Sequence, residues 1–326
     1  MKRSLVVRAT MAIMSTMAAA TLLTACAGVP RPQAPTSQPP TGASMWVEPA
    51  NIVERDAFTG PWGADAAPDP HGTYTLVEMK HTGVNLGMTV KDSRGRQWSV
   101  KQPYPGNLDS EAPVEVALSR LLSTVGYHQA PVYFLPAFNL KDDWGTHVET
   151  GGRFRLKQES LDDKGAWKWE DNPYVGTKPY QGLIVLLMMF NSTDLKNSNN
   201  TLYEHRGAAV EQWYSVRDIG AALGDTNSHA PRKNDINSFE KVPFILGVND
   251  GKVEFGYNGW YKNLVLDRIT VDDVKWASDL LGGLTDRQWN DAFRAAGYEP
   301  AVANRFIAKL KEKIEQGRTL GSQAAR

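Results

Sequence analysis

The sequence predicts an α+β chain of two lobes, an antiparallel-sheet lobe followed by a mainly helical one. Three observations carry this. Short alternating segments fill 73–101, an amphipathic helical pattern follows at 111–125, and three helical patterns close the chain beyond residue 270.

The elements follow in order. Lys2, Arg3 and Arg8 open the chain, a small-residue apolar stretch runs to Leu23, and Leu23-Thr24-Ala25-Cys26 matches a bacterial lipobox. Residues 1–25 read as a lipoprotein signal peptide with cleavage before Cys26, whose sulfur would carry a covalent lipid. Cys26 is the only cysteine, so no disulfide forms within one chain. Ala27 follows in place of an aspartate, which favours the outer membrane, facing the periplasm or the surface. Acyl chains anchor a protein to a membrane and do not span it. Residues 26–50 are rich in Pro, Ser, Thr, Gly and Ala and read as a flexible tether.

Residues 51–175 are expected to form the sheet-rich lobe. Segments 73–79 and 84–90 alternate as strands, and 96–101 returns after a Ser93-Arg94-Gly95 turn. Trp98 falls in that strand and reads as core. The helix 111–125 has an apolar stripe of Val114, Ala117, Leu118, Leu121, Leu122 and Val125, with Ser110 as N-cap and Pro113 in the first turn. Segments 131–135 and 153–157 are further strands. Residues 162–176 are polar, contain Trp167 and Trp169, and read as a connecting or surface loop.

Residues 176–320 are expected to form the helical lobe. The apolar run 179–190 reads as a buried helix. Segments 201–204 and 213–216 form a hairpin. Residues 225–237 read as a loop, and 244–248 with 252–257 flank Asn249-Asp250-Gly251, a hairpin turn. Thr270 with Asp273 and Thr285 with Gln288 resemble capping boxes, the second more closely. A charged amphipathic helix covers 305–316, and 321–326 reads as a disordered tail.

Composition excludes several classes. The chain has 36 basic and 36 acidic residues; removing 1–25 takes away three cations and no anion, leaving the mature chain at −3. A near-neutral protein gives no electrostatic case for nucleic acid. The six histidines show no paired ligand spacing, so zinc is not expected, and no G-x-S-x-G marks a serine hydrolase. Ten tryptophans read mainly as core residues.

The chemistry-bearing pattern is Asp194-Leu195-Lys196-Asn197-Ser198-Asn199, then Asp218-Ile219-Gly220 nineteen residues after Asn199. D-x-x-x-x-N followed by D-x-G is how kinase-type folds hold a phosphoryl-transfer centre. Upstream stand Lys101 at a strand end and a helical glutamate, Glu115, with Glu111 one turn earlier in reserve. Together these residues resemble the skeleton of the protein-kinase-like superfamily. The run 214–224 is similar to the metal-binding segment of its atypical branch, the HipA-type and phosphatidylinositol kinases. The sequence departs from that pattern where Ser192 and Thr193 replace His-Arg, where no G-x-G-x-x-G occurs, and where no Ala-Pro-Glu follows Asp218.

The resemblance implies an enzyme, an atypical kinase or phosphotransferase. Asp194 would orient the acceptor hydroxyl. Asn199, or Asn200 in its place, and Asp218 would hold Mg²⁺ or Mn²⁺. Lys101, held by Glu115, would contact the phosphates of a nucleoside triphosphate, under a hairpin carrying Gly83 and Gly87. The implied envelope location has no obvious ATP pool, which leaves three alternatives. The protein uses nucleotide supplied outside the cell, takes another phosphorylated donor, or is a non-catalytic lipoprotein that binds a glycan, peptide or protein.

Overall fold

Alternation builds the first lobe. In the computed structural model, which describes residues 39–80, 85–103, 111–227 and 229–323, strands β2 (Thr73–Lys80), β3 (Leu86–Lys91) and β4 (Gln97–Gln102) form a meander. Tyr74, Met88, Val90, Trp98 and Val100 point inward and are buried. The β3–β4 turn closes because Asp92 accepts hydrogen bonds from the Arg94 and Arg96 amides while Gly95 takes φ +82°. Helix α1 (Glu111–Thr124) follows. Its expected N-cap, Ser110, lies outside the described residues, as do Gly83 and residues 1–38 with the signal segment and Cys26.

Strands β5 (Val132–Asp142) and β6 (Gly145–Lys157) form one long hairpin, of which the sequence shows only the two ends. Its middle carries Pro136 against Gly151, where a Cβ would lie 2.6 Å from the Leu135 and Pro136 carbonyl oxygens. Close backbone approach demands glycine there, and the strand pattern breaks. Towards the tip the β6 side is exposed on both faces, so its apolar alternation fades, while Phe138 and Leu140 of β5 stay buried; Trp144 is 90% exposed. Parallel pairing of β2 with β5 closes the five strands into a barrel in the order β2-β3-β4-β6-β5.

Two expectations are corrected around the second sheet, whose order is β1 (Ala43–Ser44), β9 (Val210–Val216), β8 (Asn200–Arg206) and β7 (Leu161–Asp163). Residues 39–50 are not free tether. Strand β1 (Ala43–Ser44) pairs with β9, Met45 is buried, and the Trp46 indole donates to the Val125 carbonyl at 2.7 Å. Residues 162–176 are not a surface loop either. After β7 (Leu161–Asp163), Trp167 and Trp169 turn inward, edge to face at 4.7 Å, and the Trp167 indole donates to the Ser215 carbonyl. Two indoles bury more apolar area than the polar residues around them can offset.

Helix α2 (Lys178–Met189), capped by Thr177, is buried almost all round; Gly182 lets it approach the Trp276 ring. Strands β8 (Asn200–Arg206) and β9 (Val210–Val216) form the expected hairpin. A short helix α3 (Ile236–Phe239) interrupts the expected 225–237 loop near its end, and β10 (Ile245–Asn249) pairs with β11 (Lys252–Phe255). Helices α4 (Val271–Gly282), α5 (Asp286–Ala295) and α6 (Pro300–Gln323) finish the chain, and both capping boxes are formed. Helix α6 outruns 305–316 at both ends and carries helical backbone into the expected tail. It packs on α4 and α5, while α5 also packs on α1. Among the described residues no helix is long and apolar enough to cross a membrane.

Candidate phosphoryl-transfer site

The site forms where α1, the outer face of the barrel and two loops of the helical part meet. The first loop leaves the C-terminus of α2. Asn191 takes φ +53°, and its side-chain Nδ2 donates to the Gly224 carbonyl at 2.8 Å. Lys313 of α6 reaches into the same turn, donating to the Met189 carbonyl and to Asn191 Oδ1, both at 2.8 Å. Burial lowers the pKa of that lysine well below its ordinary value. The amides of Thr193 and Leu223 cross-link this loop to the second one, through Ala221 O and Phe190 O.

The D-x-x-x-x-N spacing has a local meaning. Asn199 Nδ2 donates to the Asp194 carbonyl at 2.7 Å, while the Asn199 carbonyl accepts from the Arg217 amide at 2.8 Å and the Asp218 amide at 3.2 Å. Asn199 therefore ties the start of one loop to the start of the other. The glycine of Asp218-Ile219-Gly220 is also explained. A Cβ at Gly220 would stand 2.7 Å from Glu111 Cβ and 2.9 Å from its carbonyl, so glycine lets the loop lie against the first turn of α1. Ile219 anchors the same loop in the core.

Lys101 is the centre of the charges. Its Nζ lies 2.6 Å from Asp218 Oδ1, 3.2 Å from Glu111 Oε2 and 3.3 Å from Glu115 Oε2. Both candidate glutamates thus reach the lysine. Glu115 is fully buried and also pairs with Arg153 Nε at 3.0 Å and with Arg155. Glu111 pairs in addition with Lys233 and accepts from Asn85 Nδ2 at 2.7 Å. Burial would raise the Glu115 pKa, but Arg153, Lys101 and Arg155 outweigh it and hold the carboxyl far below the usual range. Burial would likewise lower Lys101, yet Glu115 and Asp218 keep its pKa above the ordinary lysine value. Arg153, desolvated and beside Arg155, is lowered to about 10 and stays charged at neutral pH.

The structure brings Lys101, Glu111, Glu115 and Asp218 into one cluster. Asp194 stands one step away, joined to it through Asn199, and its own carboxylate pairs with Lys196 at 2.6 Å. Gly87 sits within β3 opposite Lys101, its Cα facing the Lys80 stem. Asn200 is buried and donates to the Trp167 carbonyl, away from this cluster. Among the described residues no group of three or more His, Cys, Asp or Glu is placed to hold a metal. The donors that suit a hard cation are Asn199 Oδ1, with its amide nitrogen already committed, and Asp218, whose side chain is 41% exposed and whose contact with Lys101 uses Oδ1.

Sequence reasoning missed Arg153, Arg155, Lys233 and Lys313. The run Arg153-Phe154-Arg155-Leu156-Lys157 did hold a signal, because cations two apart in a strand share one face.

The architecture is an α+β fold with an antiparallel-sheet barrel first and a mainly helical part after it. No family model and no curated relative matches the chain. Several solved kinases resemble it in chain path. The Helicobacter pylori proinflammatory kinase CtkA shares 10% identity, with 79% of this chain and all of that one covered, at a TM-score of 0.40. The Rio2 kinase from Chaetomium thermophilum, in an ADP/Mg²⁺-phosphoaspartate complex, shares 14% over 74% and 72% of the two chains, at 0.34. The Golgi casein kinase with Mn/ADP bound shares 8% over 78% and 73%, at 0.37. These are likenesses of overall chain path and carry no residue-level correspondence.

Proposed function

We propose that this chain is a lipid-anchored atypical kinase-type phosphotransferase of the cell envelope. The observation that carries the reading is the Lys101 ammonium, held at once by two α1 glutamates and by Asp218 of the Asp-x-Gly loop. Residues from a strand, a helix and a distant loop converge there in the arrangement that phosphoryl transfer uses.

In this reading Glu115 and Glu111 fix Lys101, and Lys101 presents its charge to the donor phosphates. Asn199 Oδ1 and the Asp218 carboxylate would hold Mg²⁺ or Mn²⁺, which when bound neutralises phosphate charge. Asp194 orients the acceptor hydroxyl and takes its proton. The acceptor oxygen bonds to phosphorus as the bond from phosphorus to the donor's bridging oxygen breaks. That oxygen leaves with its electron pair, and Lys101 meets the charge. The narrower likeness to HipA-type and phosphatidylinositol kinases rests on the run 214–224 alone. The anchor rests on the Leu23–Cys26 lipobox, and mass spectrometry of the mature N-terminus should find acylated Cys26.

One observation favours the non-catalytic alternative, a binding module: Lys196 already occupies the Asp194 carboxylate. Calorimetric titration of nucleotide with Mg²⁺, beside a phosphoryl-transfer assay, separates the readings. Asp218→Ala should abolish metal-dependent binding, and Asp194→Ala should bind but not transfer. Unchanged binding in Asp218→Ala would remove the metal role; binding without transfer by the parent, over a broad acceptor panel, would leave the module.

A further inference from the structure

The outer face of the barrel carries more positive charge than the Lys101 site uses. Cross-strand pairing sets Lys80, Gly87, Lys101 and Arg153 side by side in one row across β2, β3, β4 and β6. The next row is Glu78, Thr89, Ser99 and Arg155, and the one beyond is Thr75, Lys91, Gln97 and Lys157. Paired residues share a face, so β3, β4 and β6 place no apolar side chain here. The apolar residues that alternate with these rows, Met88, Val90, Trp98, Val100, Phe154 and Leu156, face the barrel core.

Three of these cations, Lys80, Lys91 and Lys157, form no ion pair among the described residues, and two of the three reach inward to hydroxyls. Lys80 Nζ donates to Ser99 Oγ at 3.3 Å and Lys157 Nζ to Thr89 Oγ1 at 3.4 Å. Among the described residues neither lies within ion-pair distance of a carboxylate, whereas Lys101, Arg153 and Arg155 share Glu115. Arg155 joins the face to the transfer site, since its guanidinium also donates to the carbonyl of Arg217, next to Asp218, at 3.1 Å. The Arg155 Nε is buried without a hydrogen-bond partner. Two strand steps of two residues separate Lys101 from the Lys157 row, roughly 13 Å of floor.

A purine needs an apolar or aromatic bed, as small-molecule pockets generally provide. This floor offers cations and hydroxyls with one carboxylate, Glu78, and the apolar residues that continue its rows in β5 are not free to bed a base, since Val132 is buried and Phe134 packs against the main core. We infer that the ligand of this face is a condensed phosphate chain, inorganic triphosphate or longer, lying from Lys101 along the β4–β6 face to Lys80 and Lys157. The inference rests on the proposed phosphotransferase site and names its donor class. It also suits an envelope location, where a donor without a nucleoside removes the need for an ATP pool. The state of Lys80 agrees: burial first, then repulsion from Lys157, Arg153 and Arg155, lowers its pKa against the opposing pull of Glu78, and a bound polyanion relieves that repulsion.

The test is calorimetric titration of the full-length protein in detergent with sodium tripolyphosphate, ATP and adenosine. Tripolyphosphate should bind at least as tightly as ATP, and adenosine should not bind. The Lys80→Gln/Lys157→Gln variant, altered only at solvent-reaching ammoniums, should keep its melting temperature and weaken tripolyphosphate by about ten-fold or more, since each ammonium lost removes a charge-assisted contact. ATP binding ten-fold tighter than tripolyphosphate, or an unchanged double variant, would overturn the inference. The two readings fail separately. Tripolyphosphate binding without transfer to any acceptor sinks the phosphotransferase and keeps the ligand class; transfer from ATP that tripolyphosphate does not inhibit does the reverse.

Discussion

Replacing Glu115 by Gln should be the most damaging single change at the cleft. The carboxylate is fully buried and is shared by Lys101, Arg153 and Arg155. Gln keeps the shape and removes the charge. Lys101 then retains Asp218 and Glu111, but Arg153 and Arg155 are left with neutral acceptors and no ion-pair partner among the described residues. Breaking a buried pair from one side strands the other charge and costs about 3–5 kcal/mol. In a chain of this size each kcal/mol moves the melting temperature by roughly 2 °C, so the fall should be about 6–10 °C at neutral pH. The pH dependence has a definite direction. The Glu115 carboxyl is held below its ordinary value in the fold, so its contribution is present above the ordinary carboxylate pKa and is lost as pH falls through the folded one. The gap between parent and variant should therefore close in strong acid. Differential scanning calorimetry from pH 7 downward measures both. A shift under 2 °C at pH 7, or a gap that does not narrow in acid, would show that the three cations do not depend on Glu115.

Gly220→Ala should cost about 1–3 kcal/mol by overpacking against Glu111, and it should move the Asp218 loop off α1; urea unfolding gives the first and nucleotide titration the second. An alanine variant as stable as the parent would refute the close approach. His128 supplies a separate acid response. Its ring stacks on Trp213 at 4.3 Å and meets Ser44 Oγ at 2.6 Å, and burial is the main reason its pKa is lowered to about 4 from 6.5. Stability tied to the neutral ring is complete above pH 6.5 and is lost as pH falls toward 4, by about 3 kcal/mol in all. Urea midpoints at pH 7 and 4.5 should converge by most of that amount in His128→Phe; an equal acid loss in parent and variant would sink the assignment.

What the sequence shows of this protein is what its local spacing sets. Segments 73–79 and 96–101 and the helices at 111 and 179 are legible because each carries its own period or caps. The Asp194–Asn199 spacing is legible for a reason that the structure supplies: the Asn199 side chain closes on the Asp194 carbonyl, five residues back, before any long-range contact is needed. Tryptophans 167 and 169 escape because their polar neighbours dominate the local pattern, whereas burial is decided by Tyr214 and Tyr180 far along the chain. Strand β1 escapes because two residues carry no period at all. The charge cluster stands between these cases. The alternation of Arg153, Arg155 and Lys157 assigns them one face, but which face, and against which partners, depends on the register that sets Lys101 opposite Arg153. That register is long-range, so the sequence shows the cations without showing that one glutamate holds three of them. It equally hides that Lys80 and Lys157 are left with hydroxyls alone, and a cleft's appetite for anions is set by such unmatched charges and not by the net charge of the chain.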